Sequence, residues 1–218
     1  MNAFSRARRI FNIQAAVAAA FLLLAGAGVA TAAEDEKSFP AEEVLAAGAG
    51  DDKVLGSPDA KVTVIEYASL TCGHCAHFHE KTLPELKKKY VDTGKVRFIF
   101  RDFPLDPLAT AGSMLAHCAP GDRYFDVLGT LFEQQQFWAF TDKPVDALIA
   151  LSRQLGFTQE SFDACLTNQE LLDRLNKVKQ TAAEKFDVHS TPSFFVNGTL
   201  VRGALSVEEF GKILDPLL

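Results

Sequence analysis

"KVTVIEYASLTCGHCAHFHEKTLPELKKKYV", residues 61–91, is the stretch that decides the fold. Residues 61–69 are short, apolar and β-branched, the pattern of a buried strand. Residues 75–91 read as a helix. Pro84 inside it should kink or restart that helix, because proline cannot donate the internal hydrogen bond. Between strand and helix, "TCGHCAHFH" places two cysteines and three histidines in residues 71–79. Such a mixture suits either a zinc site or a disulfide that exchanges electrons.

Zinc is the poorer fit. A structural site wants four ligands, usually from a second Cys or His pair at metal spacing. The chain has no second Cys-x-x-Cys. His77 and His79 are two apart on a helix and point in different directions, so they read as surface or packing residues beyond the chemistry. A metal would have to borrow Cys118, Cys165 or His189. No metal and no cofactor are expected.

Redox chemistry fits the placement. Cys72 and Cys75 follow a buried strand and open a helix, where free N–H groups and the helix dipole stabilise a thiolate. Cys72 would be the exposed nucleophile, one turn ahead of Cys75. His74 lies between them and, when protonated, adds positive charge or a hydrogen-bond donor. Gly73 is read as permitting a tight approach of the two sulfurs.

Outward from this unit, residues 34–53 are rich in Ala, Glu and Gly and read as a short helix at 41–47 followed by a loop. "GSPDA" at 56–60 is a turn. "KVRFIFRDF" at 95–103 is a second strand. Residues 104–187 look almost wholly helical. Asp106-Pro107 marks a start, and Pro120-Gly121 a stop. Tyr124, Phe125, Leu128, Leu131 and Phe132 recur at helical spacing. Pro144 opens another helix with Val145, Leu148, Ile149 and Leu155 on one face. Thr167 with Glu170 gives a capping-box pattern. "SFFVNGTLVRG" returns to strands, with Asn197-Gly198 as a hairpin turn that needs positive φ. That turn suffices to explain the Asn-Gly-Thr glycosylation pattern. Ser206 and Glu209 cap a final helix. Thr191-Pro192, before a strand, is either an edge proline or a cis proline facing an extended peptide.

The first thirty-three residues read as an export signal. Arg6, Arg8 and Arg9 precede an apolar run and then small residues. Of 22 basic and 28 acidic residues in the chain, cleavage near Ala32 or Ala33 leaves 19 basic and 28 acidic, a net charge of −9. No basic stripe stands out, so a nucleic-acid partner is not expected. In an oxidising compartment, the even count of four cysteines favours a Cys118–Cys165 bridge over two buried thiols.

Taken together, "LGSPDAKVTVIEYASLTCGHC", "YVDTGKVRFIFRDFPL" and "STPSFFVNG" resemble the DsbA-like thiol–disulfide oxidoreductases. The resemblance implies an α/β thioredoxin fold, a central mixed sheet flanked by helices, with an inserted α-helical domain. It covers about residues 54–218, with the thioredoxin-fold domain at 54–103 and 188–218 and the helical insertion at 104–187, after the signal at 1–33 and an extension at 34–53. By position, Cys72 is the attacking cysteine, Cys75 the resolving one, and Pro192 the cis proline, preceded by Thr191. Glu66, six residues before Cys72, is the buried acid near the active site. Phe78 takes a packing position. The resemblance also implies a periplasmic monomer that oxidises reduced exported polypeptides and is reoxidised by a membrane quinone-linked thiol oxidase. Gly73-His74 departs from the Pro-His of the strongest oxidants and looks like protein disulfide isomerase. Ser190 stands where glycine is common. An isomerase or reductant of the same fold, and a redox-inactive chaperone or metal-binding carrier, remain as alternatives.

Overall fold

A computed structural model describes residues 37–48 and 52–218; the signal expected at 1–33 lies outside them. Five strands form one mixed sheet in the order β1-β3-β2-β4-β5. They are β1 (Lys53–Leu55), β2 (Val62–Ala68), β3 (Val96–Asp102), β4 (Ser193–Val196) and β5 (Thr199–Arg202). Strands β2 and β3 run parallel, and every other pairing is antiparallel. The edge strand β1 was not expected from the sequence. Its three residues are too few to show alternation, and only their pairing with β3, Lys53 with Phe100, Val54 with Ile99 and Leu55 with Phe98, defines it.

Alternation along β2 sorts its side chains between two cores. Ile65 and Tyr67 join Val44, Ile99, Phe186 and Phe195 on one face. Val64 and Ala68 join Phe78, Phe98, Phe100, Phe194 and Phe210 on the other. Glu66 shares this second face, opposite Phe100 and Phe194, and is fully buried. Each buried Phe here contributes about 1.5–3 kcal/mol. The ring contacts of Phe194 with Phe78 at 4.8 Å and with Phe210 at 5.1 Å tie the sheet to two helices.

One of those helices follows β2 directly. It begins as α2 (Gly73–His77), passes through a π turn at Phe78–Thr82, resumes as α3 (Leu83–Leu86), and ends in a second π turn at Lys87–Val91. The restart expected at Pro84 occurs there, with Pro84 in the first turn of α3, where its missing N–H breaks no bond. The other is α10 (Val207–Leu214), capped as expected by Ser206 and Glu209. A short α1 (Ala41–Ala46) covers the opposite face of the sheet.

The insertion between β3 and β4 comprises α4 (Pro107–His117), α5 (Tyr124–Glu133), α6 (Gln135–Trp138), α7 (Pro144–Gln154), α8 (Gln159–Leu166) and α9 (Gln169–Phe186). Asp106 caps α4, accepting from the Ala109 N–H at 2.8 Å. Two local expectations fail. Thr167 closes α8 rather than opening α9, and Asn168 is the N-cap, accepting from the Leu171 N–H at 3.0 Å. The capping box sits one helix earlier, between Thr158 and Ser161. Val145 is 61% exposed although Leu148 and Leu155 on its predicted face are buried, so the apolar stripe of α7 begins a turn later.

At the hairpin, Asn197 (φ 46°) and Gly198 (φ 93°) both take the positive φ that the turn requires. Glycine is obligatory at 198, because a Cβ there would sit 2.2 Å from the Phe39 carbonyl oxygen.

Candidate active site

The strand–helix junction places Cys72 at the N-cap of α2, in extended backbone geometry and half-buried. Cys75, in the first turn of α2, is buried. The Cys72 thiol is lowered to about 5. The largest cause is a hydrogen bond from the Cys75 thiol, followed, against a burial penalty, by Thr191 and the backbone N–H groups of Cys75 and His74. Burial pushes the Cys75 thiol strongly upward, and the neighbouring Cys72 and Glu66 add to that shift. The helix start thus makes one ready thiolate and one protonated reserve.

This arrangement changes how two residues are read. His74 is exposed, and its bond to Cys72 comes from the backbone N–H rather than the imidazole. Gly73 is not needed for close approach of the sulfurs, because a Cβ built there meets nothing within 4 Å.

Opposite the dithiol, the Thr191–Pro192 peptide is cis. The Thr191 carbonyl oxygen lies 3.3 Å from Cys72 Sγ and accepts from the thiol form. The Thr191 hydroxyl is buried with no hydrogen-bond partner among the described residues and supports the thiolate form. His189, near this loop, is exposed and bonded to Asp187 at 3.1 Å.

Behind Cys75, burial raises the Glu66 carboxyl above its ordinary range, opposed by its contact with His79. Glu66 Oε2 lies 2.8 Å from His79 Nε2, and the His79 side chain is 5% exposed. Of the expected surface or packing roles, His79 takes packing, and its bond to Glu66 was not anticipated. His77 points outward and is exposed, while His79 turns inward and stacks on Phe132 of α5 at 4.1 Å. The missed signal was spacing: His79 follows Cys75 by four residues, so both share one helix face.

Two further residues were not foreseen. Gln135 of α6 donates to the carbonyl oxygens of Leu70 (2.8 Å) and Cys72 (3.0 Å), holding the loop from the insertion side. Thr71 donates its hydroxyl to Asp106 at the start of α4. Polar side chains that hold a loop leave no periodicity in a sequence. Farther along, Cys118 at the end of α4 and Cys165 in α8 form a disulfide with Cα atoms 6.0 Å apart. Among the described residues no group of three His, Cys, Asp or Glu side chains is arranged to hold a metal.

Comparison with known proteins agrees with this architecture. The thioredoxin family model matches residues 49–216. A Rickettsia prowazekii protein whose name assigns it to the protein-disulfide oxidoreductases is 33% identical over 77% of this chain. The chain spans 62% of that relative's length. The crystal structure of Wolbachia pipientis alpha-DsbA1 superposes with a TM-score of 0.72 at 32% identity, covering 77% of this chain and 91% of that one. A protein-disulfide isomerase from Novosphingobium aromaticivorans matches at 0.67 and 26% identity, covering 76% and 97%. A mixed sheet with a helical insertion, a Cys-x-x-Cys helix start and these matches place the chain in the DsbA-like thiol–disulfide oxidoreductase family of the thioredoxin fold.

Proposed function

We propose that this chain is an exported oxidase of protein thiols, using the Cys72–Cys75 couple to introduce disulfides into reduced polypeptides outside the cytoplasm. The observation that carries this reading is the asymmetry of the pair: Cys72 is lowered to about 5 while burial raises Cys75. A substrate thiolate attacks Cys72 Sγ of the disulfide, and Cys75 leaves and takes a proton. A second substrate thiolate attacks the substrate sulfur of the mixed disulfide, and Cys72 departs as a stabilised thiolate. Thr191 and Pro192 face the extended substrate, and Glu66 serves the protons of Cys75.

The stabilised thiolate favours the reduced protein, which is what makes the oxidised protein a donor. A thiol two units below neutrality contributes at most about 3 kcal/mol, less where water screens the sulfur. That corresponds to up to about 60 mV above the roughly −270 mV of thioredoxin. Equilibration with glutathione buffers measures it; a potential at or below thioredoxin's overturns the reading.

The remaining assignments complete the proposal. Residues 1–33 form a cleaved export signal, and residues 34–53 an extension. Residues 54–103 and 188–218 carry the thioredoxin fold around the insertion at 104–187. The mature protein is a periplasmic monomer, reoxidised by a membrane quinone-linked thiol oxidase. The Novosphingobium match and the Gly73-His74 dipeptide favour one second reading, an isomerase. Thiol trapping in cells separates the two: an oxidase keeps Cys72 mostly oxidised, an isomerase mostly reduced.

A further inference from the structure

Glu66 and His79 form a buried acid–imidazole pair behind the dithiol, with side-chain exposures of 0% and 5%. Their contact is 2.8 Å, between Glu66 Oε2 and His79 Nε2. The second carboxyl oxygen, Glu66 Oε1, is buried and has no hydrogen-bond partner among the described residues. The imidazole is held by aromatic rings: Phe132 stacks on it at 4.1 Å, and Phe100 and Phe78 meet it edge-on at 5.5 and 5.6 Å. Sheet alternation fixes Glu66 on the dithiol side, and the four-residue spacing puts His79 and Cys75 on one helix face.

We propose that His79 is a positioning and proton-relay residue, which accepts a proton from Glu66 Oε2 while Glu66 Oε1 takes the proton of Cys75. The proposal rests on Cys72 and Cys75 being the redox pair, and it holds for either direction of electron flow.

The chemical need is specific. A carboxyl held in an apolar core favours its neutral form. A neutral carboxyl accepts a proton at one oxygen only if it gives one up at the other. The free Oε1 is the receiving end, and the Oε2–Nε2 contact is the releasing end. An imidazole suits the far end because it gains and loses a proton near neutral pH.

During reoxidation of the protein the step balances as follows. Cys72 is joined to a partner sulfur in a mixed disulfide. Cys75 Sγ loses its proton to Glu66 Oε1 and attacks Cys72 Sγ. The bond from Cys72 to the partner sulfur breaks, and the partner leaves as a thiolate with the electron pair. The Oε2 proton moves to His79 Nε2. In the opposite direction Cys75 leaves as a thiolate, and the pair returns the proton. Besides His79, the titratable groups that sense Glu66 are Cys72, Cys75 and, from α5, Tyr124. Directly opposite it the neighbouring strands present Phe100 and Phe194, and Asp102, the next β3 residue on that face, is bonded to His117 at 2.8 Å.

The test reacts the reduced protein with a chromophoric aromatic disulfide in a stopped-flow instrument. The first aryl thiolate released reports attack by Cys72, and the second reports displacement by Cys75. His79→Gln keeps a donor for Glu66 but cannot carry the proton. It is expected to leave the first phase unchanged and to slow the second by about tenfold or more. The pH dependence of the second phase should change with it. Glu66→Gln should do the same, and the double variant should be no slower than Glu66→Gln alone. An unchanged second phase in His79→Gln, equal slowing of both phases, or additive slowing in the double variant each overturns the relay. Should His79→Gln fail to fold, Glu66→Gln alone carries the test, and a second phase of wild-type rate and pH dependence overturns it. Cys75→Ser must lose the second phase altogether; if it keeps it, the redox-pair reading fails instead.

Discussion

Cys72 owes its thiolate to a few donors, and each can be removed singly. The Thr191 hydroxyl is buried without another partner among the described residues and supports the thiolate. Thr191→Val keeps the shape and removes the donor. A hydrogen bond to a charged group is worth about 1.5–3 kcal/mol, so the thiolate midpoint should rise by about one unit or more. Titrating thiolate absorbance in both proteins measures this, and an unmoved midpoint would assign the stabilisation to Cys75 and the helix N–H groups alone. The same thiol makes stability depend on pH. Its folded value, about 5, lies below the roughly 8.5 of an unfolded cysteine. Between those limits the unfolded chain binds the extra proton, so the contribution grows as pH rises and is lost as pH falls through about 5. Reduced wild type should therefore gain stability over reduced Cys72→Ser from about pH 5 to 8, measured by urea unfolding. Gly73 bears differently on stability. Its open surroundings and ordinary φ give alanine no obstacle. Gly73→Ala should stabilise the protein by about 0.4–1 kcal/mol through the unfolded chain, with the Cys72 titration unchanged.

The elements differ in how their ends are secured, and α1 is secured by a single side chain. Arg101 of β3 is buried and uses all five of its N–H donors. Two go to Asp52, at 2.6 and 2.9 Å, two to the Val44 and Leu45 carbonyl oxygens of α1, and one to the Tyr67 hydroxyl. Removing one partner of a buried, bonded ion pair costs about 3–5 kcal/mol. Arg101→Met should lose that much in chemical unfolding, and the amide protons of α1 should exchange faster than those of α10. The sequence contained the strands, the Cys-x-x-Cys helix and the hairpin plainly, because alternation, helical spacing and turn chemistry are local signals. It did not reveal β1, whose three residues exist as a strand only through pairing with β3. Arg101 and Gln135 were missed for a related reason. Their roles depend on partners 34 to 65 positions away, which no period encodes. The inner placement of His79 is legible in the sequence, because its four-residue spacing from Cys75 is local.

Across the whole molecule, insertion and sheet meet around the dithiol. Thr71 bonds to Asp106, Gln135 reaches Leu70 and Cys72, and His79 stacks on Phe132. The insertion thus holds the active-site loop and the buried acid pair in place, and its rigidity bears on both. The Cys118–Cys165 bridge acts at this scale. It joins the end of α4 to α8 across a separation of 47 residues. In the chain-entropy model such a closure stabilises the fold by about 4 kcal/mol, through fewer unfolded conformations. Both sulfurs pack against the larger apolar core, so alanine is the replacement that leaves no unsatisfied polar group. The double variant Cys118→Ala with Cys165→Ala should lose up to about 4 kcal/mol, a fall in Tm of roughly 8–16 °C for a domain of this size. Well below its new melting temperature the first phase of aryl thiolate release should keep its wild-type rate, because Cys72 draws its stabilisation from α2 and Thr191. Slowing of that phase at a temperature where the variant is fully folded would mean instead that the bridge transmits order to the thiolate through α4 and Asp106.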